Sequence, residues 1–183
     1  MKEQILIACR HQFIEGDVEH WWHEDTNRGI RTKFSDDLLW LCYVVYEYIN
    51  YTGDYSILDK DVPYVMGELL PDEIDERYDV YLESQLKENV YTHCIRAIDR
   101  SLNFGQHGLP KIGSGDWNDG LNTVGNKQKG ESIWLGFFIY NILEKFIEIC
   151  EKREDYSRAN EYKEKKENLK KALNLDRMGW KMV

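Results

Sequence analysis

A polar, glycine-rich run, Gly113–Asn122, holds the residues of this chain best suited to chemistry. It places two carboxylates, Asp116 and Asp119, around the indole of Trp117 and the amide of Asn118. An indole can cover an apolar sugar face while a carboxylate binds hydroxyls, so the combination suits a carbohydrate site. Neighbouring carboxyls can also differ in pKa, which would keep one of them protonated as an acid. A structural turn favours the same residue types and is an equally supported interpretation.

Two histidines, His20 and His23, flank a pair of tryptophans upstream of this run. Imidazoles are common metal ligands, but no third ligand follows at a recognisable spacing. We therefore expect no metal here and interpret both histidines as hydrogen-bonding loop residues.

A second polar segment leads from an extended stretch, 30–34, into an apolar helix. The stretch delivers Arg31, and Ser35 is predicted to cap the helix that follows it. Asp36 and Asp37 would then lie in the first helical turn, where the helix dipole favours anions. Capping alone accounts for one of these two aspartates, so only the other is free for a different role.

The elements that must position these residues are predicted to be helices. Apolar residues at helical spacing indicate segments that are amphipathic or apolar over most of their girth, at residues 2–15, 36–51, 85–103, 131–150 and 157–173. Gly105 is expected to end the third of them, and a long loop, 106–129, carries the glycine-rich run. The acidic stretch 67–83 is interpreted as an irregular surface excursion.

The overall composition limits the classes of partner. The chain has 183 residues with 42% hydrophobic and 13% aromatic content, which predicts one globular domain. Its net charge of -9 argues against a nucleic-acid backbone or an anionic membrane surface as partner. Cys42 and Cys94 lie in apolar helical patterns and are expected to be reduced core thiols. We see no signal peptide and no apolar run of about 20 residues, and we expect a cytoplasmic location.

Two long motifs together resemble the catalytic domain of glycoside hydrolase family 94, the inverting disaccharide and oligosaccharide phosphorylases. Residues 28–41 read RGIRTKFSDDLLWL and follow HWWH at residues 20–23, while residues 113–120 read GSGDWNDG. These versions look closest to the branch of cellodextrin phosphorylase, 1,2-β-oligoglucan phosphorylase and the C-terminal part of cyclic β-1,2-glucan synthase.

The resemblance implies an all-α fold that is part of an (α/α)6 barrel. About half of the helices of such a barrel are predicted in residues 1–183. We therefore expect a partial catalytic domain without the family's N-terminal β-sandwich and C-terminal barrel helices. In the family, the phosphate-binding histidine and the acceptor-side acid lie downstream of the part that this chain resembles.

The resemblance also implies roles at matching positions. Asp119 matches the general acid that protonates the glycosidic oxygen, and Trp117 matches the indole of the donor-sugar subsite. Arg31 and Asp37 match residues that hold hydroxyls of the same sugar. We therefore expect the Arg31–Asp37 segment and the Asp116–Asp119 loop to meet at one end of a helical layer. Four further residues are expected to shape or contact that subsite without an assigned role, namely Asp116, Asn118, His20 and His23.

The implied function is phosphate-dependent, inverting cleavage and synthesis of β-glucosidic bonds, with glucosyl transfer between α-glucose 1-phosphate and a sugar acceptor. Inorganic phosphate is then a co-substrate, and no other cofactor is expected. Expected partners are a β-glucoside or oligosaccharide, and a missing barrel half or second copy over apolar patches on helices 36–51 and 131–150. The alternatives are a non-catalytic sugar-binding remnant, a truncated gene product, or an inverting hydrolase, which needs a second carboxylate as base.

Overall fold

The computed structural model describes residues 1–125 and 127–174, and these contain both helices and strands. The helices are α1 (Lys2–Arg10), α2 (Asp37–Thr52), α3 (Val90–Ser101), α4 (Ile133–Lys152) and α5 (Tyr156–Asn174). The strands are β1 (Glu19–His23), β2 (Arg28–Thr32), β3 (Asp61–Met66), β4 (Glu76–Val80) and β5 (Leu82–Asn89). Short 3-10 turns cover Tyr55–Asp59 and Asp119–Leu121.

The core is built around α2 and α4, as their apolar girth predicts. Buried side chains from both helices pack together with those of α1, α3 and α5 in one continuous cluster. Gly53 ends α2 in the left-handed conformation (φ 71°), which a glycine adopts without the cost that a side chain adds. Three residues, 153–155, join α4 to α5, so these two helices form a hairpin.

Strands form two antiparallel sheets, and the prediction of an all-α chain is not confirmed. One sheet has the order β1-β2-β4, and the other pairs β3 with β5. Strand β5 occupies the beginning of a predicted helix, because residues 82–89 pair with β3 and the helix starts only after Asn89. The Asn89 side chain caps that helix by accepting a hydrogen bond from the backbone N–H of Thr92 at 2.9 Å.

Several local predictions are corrected by long-range contacts. His20 and His23 lie on strand β1, not in a loop, because β1 pairs with β2. Ser35 does not cap α2, since its hydroxyl donates to the backbone carbonyls of Ile112 and Gly115. Asp36 occupies the N-cap position without a side-chain capping hydrogen bond. The first helix ends at Arg10 and α3 is followed by Leu102 as its C-cap, so residues 11–15 and Gly105 do not play the predicted parts.

Two expectations about the core and the surface are confirmed. The four cysteines are buried and unpaired thiols. Large apolar side chains are exposed on both core helices, including Trp40 on α2 and Ile133 and Phe137 on α4. None of the helices in the described part of the chain has the length and apolar character needed to cross a membrane.

Candidate active site

The two polar segments meet in space through their backbones, as the sequence predicts. Phe34 forms β-bridges to both Gly113 and Gly115. The backbone N–H of Ser35 donates to the Gly115 carbonyl at 3.0 Å, and that of Ser114 donates to the Lys33 carbonyl at 3.2 Å. The end of strand β2 is thus joined to the glycine-rich loop immediately before α2 begins.

Gly113 makes this crossing possible because of its conformation and its lack of a side chain. Its φ is +64°, in the left-handed region, and an added Cβ would lie 2.0 Å from the carbonyl oxygen of Lys33. The obstacle is backbone and cannot turn away as a side chain could. The close approach of the two segments therefore requires glycine at this position.

Gly113→Ala is expected to lower the free energy of unfolding by more than Gly53→Ala does. Both positions are left-handed, which costs a residue with a side chain about 1–2 kcal/mol. Gly53 has nothing within 4 Å of an added Cβ, so it isolates that conformational cost. We expect Gly113→Ala to lose about 1 kcal/mol more, because the Lys33 segment must move. Urea denaturation measures both losses, and equal losses would contradict the crossing.

Asp116 is a buried structural carboxylate. Asp116 is only 3% exposed, and its Oδ2 accepts a hydrogen bond from the Ser132 hydroxyl at 2.6 Å. Ser132 also caps α4 by accepting from the backbone N–H of Leu135 at 3.0 Å. Asp116 therefore joins the glycine-rich loop to the beginning of a core helix, which leaves its carboxylate enclosed in protein.

Asp119 and Trp117 are exposed to solvent, in contrast to the buried Asp116. The Asp119 side chain is 66% exposed, and Trp117 is 59% exposed. Asn118 lies between them and accepts a hydrogen bond from the backbone N–H of Gly120 at 3.0 Å, which caps the 3-10 turn that carries Asp119. The loop thus presents one carboxyl and one indole to solvent on a locally fixed backbone.

His20 connects Asp119 to the beginning of α2. Its Nδ1 lies 2.9 Å from Asp37 Oδ2, and its Nε2 lies 3.9 Å from Asp119 Oδ2. Burial raises the pKa of Asp37, the nearby Asp119 adds to the rise, and His20 opposes both effects. The structure therefore brings together three candidate residues that are far apart in the sequence.

Asp36, at the N-cap of α2, is a further acidic residue near Asp37 and Asp116. Its Oδ2 accepts a hydrogen bond from the Trp40 indole N–H at 3.0 Å. Burial raises the pKa of Asp36 against the effect of that hydrogen bond, and the carboxylates of Asp37 and Asp116 raise it further. Asp36 thus turns toward Trp40 and Asp116, while Asp37 turns toward His20.

Arg31, on strand β2, has its guanidinium enclosed in protein. Nε and Nη2 donate to the two carboxylate oxygens of Asp17 at 2.7 Å each, and Nη2 also donates to Glu15 at 3.0 Å. Nη1 donates to the carbonyls of Gly67 and Glu68 at 3.0 Å each. All five N–H groups of the side chain therefore have protein partners. The predicted contact of Arg31 with a sugar hydroxyl would need one of these bonds to open.

An aromatic row extends from the loop along the core helices. The ring centroids of Trp117 and Trp134 lie 6.3 Å apart, and Trp134 lies 5.4 Å from Phe138, which in turn lies 4.8 Å from Trp40. A separate cavity of ≈ 450 Å³ is lined by residues such as Lys33, Ser35 and Gly113, but not by Asp119 or Trp117. The candidate acid and indole thus face an open surface bordered by aromatic rings.

Sequence reasoning missed two connections in this site. It named His20 only as a shaping residue, because no motif links a strand histidine to an aspartate 17 residues later. It did not name Ser132, although a serine before an apolar helix is a recognised N-cap signal. In the described ranges 1–125 and 127–174, no cluster of three or more His, Cys, Asp or Glu side chains could hold a metal ion.

Comparison with known proteins identifies similar sequences over nearly the whole chain. A family model described as glycosyl hydrolase 94 superfamily, catalytic domain, matches residues 1–181. The cyclic beta-(1,2)-glucan synthase NdvB of Rhizobium meliloti (strain 1021) is 40% identical over 183 aligned positions, and the alignment covers 98% of this chain and 6% of the relative.

Two phosphorylases are similar at lower identity. The solabiose phosphorylase of Paenibacillus borealis is 31% identical over 182 residues, which cover 98% of this chain and 20% of the relative. The 1,2-beta-oligoglucan phosphorylase of Listeria innocua serovar 6a is 24% identical over 164 residues, covering 84% of this chain and 14% of the relative. The chain thus spans about a fifth or less of the length of these relatives.

Proposed function

We propose that this chain, which belongs to the catalytic-domain family of the glycosyl hydrolase 94 superfamily, forms the donor-sugar side of a glycoside phosphorylase site. The reaction is the inverting, phosphate-dependent cleavage and synthesis of β-glucosidic bonds. The names of the phosphorylase relatives support this reaction class. Because the chain spans a small part of their length, the activity of the whole protein is part of the proposal.

The observation that carries the proposal is the contrast between the two carboxylates of the loop. Asp116 is buried and bonded to Ser132, whereas Asp119 is exposed beside the exposed indole of Trp117. A proton donor must reach the reacting oxygen, and only the second carboxyl is accessible to a ligand. A glucosyl ring resting on the indole would bring its glycosidic oxygen to the Asp119 side.

The proposed chemistry assigns one step to Asp119. A phosphate oxygen attacks the anomeric carbon, the bond from that carbon to the glycosidic oxygen breaks, and the Asp119 proton passes to the departing oxygen. The products are α-glucose 1-phosphate and the released sugar, with Asp119 left as a carboxylate. Phosphate is itself the nucleophile, so no second carboxylate is needed to activate water.

Phosphate is therefore the proposed co-substrate, and we propose no further cofactor. The sugar is oriented by its hydroxyls as well as by its apolar face, and Asp37 is positioned beside Asp119 through His20. Asp37 is the proposed hydroxyl ligand, because Arg31 already donates all its hydrogen bonds to protein groups.

The helices fit the proposed fold. The core helices α2 and α4 pack with α1, α3 and α5 in one apolar cluster, and α4 and α5 form a hairpin. We propose that they are part of an (α/α)6 barrel, with the exposed apolar faces of α2 and α4 directed toward further barrel helices or a second copy. The β1-β2-β4 sheet then lies at the barrel end that carries the site.

Replacing Trp117 should weaken the binding of glucose to this chain. We expect a saturable change of tryptophan fluorescence on glucose titration, and Trp117→Ala should weaken the apparent affinity roughly tenfold. Loss of about 60 Å² of apolar contact corresponds to about 1.5 kcal/mol, which is a factor of ten in Kd. The matched control is Trp21→Ala, which removes an exposed tryptophan outside the loop, on strand β1. An unchanged response in Trp117→Ala would reject the donor-sugar assignment.

A further inference from the structure

His20 lies between two carboxylates that belong to different elements. It projects from strand β1, with Asp37 from α2 at its Nδ1 and Asp119 from the 3-10 turn near its Nε2. Its ring packs edge-on against Phe34, with the centroids 4.8 Å apart, and its side chain is 26% exposed. The imidazole is thus held on one side by protein and remains partly open toward the candidate site.

Asp37 determines which nitrogen of His20 carries the proton. At 2.9 Å its carboxylate accepts a hydrogen bond from Nδ1–H, and the Thr32 hydroxyl donates to the same oxygen at 3.4 Å. In the neutral imidazole Nδ1 therefore carries the hydrogen, and the imidazolium carries a second hydrogen on Nε2. Nε2–H of the imidazolium can then donate to Asp119 Oδ2, which lies 3.9 Å from Nε2.

We propose that His20 is a positioning residue: as an imidazolium held by Asp37, it donates from Nε2–H to Asp119 Oδ2. The proton on the other Asp119 oxygen then faces the glycosidic oxygen, and the imidazolium stabilises the carboxylate that forms when this proton is transferred. This inference rests on the proposed role of Asp119 as the proton donor. The present separation of 3.9 Å exceeds a hydrogen bond, but the Asp119 side chain is exposed and can rotate toward the ring. Catalytic hydrogen bonds commonly shorten when substrate binds.

The surroundings of His20 leave few competing groups. Glu19, its neighbour on β1, pairs with His11, and Asp36, at the N-cap of α2, accepts a hydrogen bond from the Trp40 indole N–H. Strand β2 and the residues after it contribute the uncharged side chains of Thr32 and Phe34. Among the described residues, no carboxylate other than those of Asp37 and Asp119 lies within 4 Å of the His20 ring nitrogens. These two carboxylates are therefore the acidic groups that lie next to the His20 ring nitrogens.

His23 provides an internal control on the same strand. Its ring packs against Trp21 and Tyr78, with centroids 5.4 and 6.4 Å away, and no ion pair joins it to a described carboxylate. His23 is thus a second histidine on the same strand, and it experiences the same solution conditions as His20. A change that appears only at His20 therefore cannot come from a general disturbance of strand β1 by the Asp37 or Asp119 substitution.

The test is a ring nitrogen-15 NMR titration of the full chain over about pH 5–8, where histidine titrates. We expect the wild-type protein to show the Nδ1–H tautomer at His20. Asp119→Asn should lower the pKa of His20 by about 0.5–1 unit, because it removes a nearby anion that favours the imidazolium. Asp37→Asn should shift the tautomer ratio, and neither variant should move His23.

Two results of this titration would overturn the inference. One is a His20 pKa that is the same in wild type and Asp119→Asn, since the two groups would then be uncoupled. The other is a His20 ring that stays neutral at the pH of phosphorolysis, since Nε2 would then have no hydrogen to donate to Asp119. Because the measurement needs no turnover, it does not depend on the phosphorylase proposal.

A second measurement separates the inference from the proposed function. His20→Asn retains an amide N–H near the Nδ1 position but lacks Nε2, whereas His20→Gln places an amide nearer the Nε2 position. Phosphorolysis of a β-linked oligosaccharide should fall about tenfold or more in kcat in His20→Asn, with KM little changed, and less in His20→Gln. Coupling without any wild-type phosphorolysis, even when the chain replaces the matching region of the solabiose phosphorylase, rejects the proposed function alone. Phosphorolysis that needs Asp119 but is unchanged by His20→Asn rejects the inference alone.

Discussion

Asp119→Asn is expected to reduce phosphorolysis of a β-linked oligosaccharide by a factor of about 10²–10⁴ in kcat, while sugar binding persists. The asparagine keeps the size and exposure of the side chain but cannot donate the proton that the departing oxygen needs. This loss corresponds to about 2.7–5.4 kcal/mol of transition-state stabilisation. Formation of glucose 1-phosphate measures it, in this chain or in a chimera in which the chain replaces the matching region of the solabiose phosphorylase.

Leaving-group dependence distinguishes a lost proton donor from a distorted site. An aryl β-glucoside releases a stabilised phenolate and needs little protonation, so Asp119→Asn should be far less impaired on it. A distorted site would instead slow both substrates equally. This comparison therefore tests the chemical role of Asp119 and not merely its presence.

Asp116→Asn is the matched control in the same loop. Its buried side chain can still accept the Ser132 hydrogen bond through the amide oxygen, so we expect kcat to remain within about tenfold of the wild type. The main cost should appear as lower stability, because a charge-assisted hydrogen bond of 2.6 Å is weakened. A severe loss of phosphorolysis in Asp116→Asn together with near-normal activity of Asp119→Asn would reverse the assignment.

Arg31→Met is expected to lower the free energy of unfolding by about 3–5 kcal/mol, the cost of breaking a buried ion pair. The guanidinium is fully enclosed, lies 3.9 Å from the Phe13 ring centroid, and pairs with Asp17 and Glu15. Burial opposes its charge, but the two carboxylates outweigh burial and raise its pKa. Methionine fills much of the volume but leaves Asp17 and the carbonyls of Gly67 and Glu68 without their donor.

Arg77→Met serves as the control for this measurement. Arg77 lies directly opposite Arg31 in the β2-β4 register, but its partner, Glu68, has a side chain that is 89% exposed. Exposed ion pairs contribute about 0–1 kcal/mol, so the loss on urea denaturation should be small. Similar losses for Arg31→Met and Arg77→Met would show that the enclosed network adds little.

The Arg31 result bears on the sugar-binding prediction as well. If Arg31 is chiefly structural, the conservative variant Arg31→Lys should also destabilise the chain, because a lysine cannot reproduce the bidentate contact with Asp17. A variant of normal stability with weakened glucose binding would instead favour direct contact with the sugar. The structure supports the first outcome, since the side chain has no unpaired N–H.

The residue pattern alone predicted the parts of this protein that depend on local composition. The apolar girth of residues 36–51 indicated a buried helix, and α2 spans Asp37–Thr52. The glycines and polar side chains of 113–122 predicted a loop, because such residues are unfavourable in a helix interior. The meeting of this loop with the Arg31–Asp37 segment was also predicted, from the resemblance to family 94.

Only the tertiary structure decided which residues are strands and which carboxyl is accessible. Strand β1 forms because Glu19–His23 pairs with β2, and β5 forms because it pairs with β3; such pairing depends on residues outside any local window. Asp116 and Asp119 have the same side chain in the same loop. The Ser132 hydroxyl at the beginning of α4 buries the first, and the second is left in solvent beside His20. Burial and partner choice are properties of the packed chain, because each depends on a segment that the local sequence does not contain.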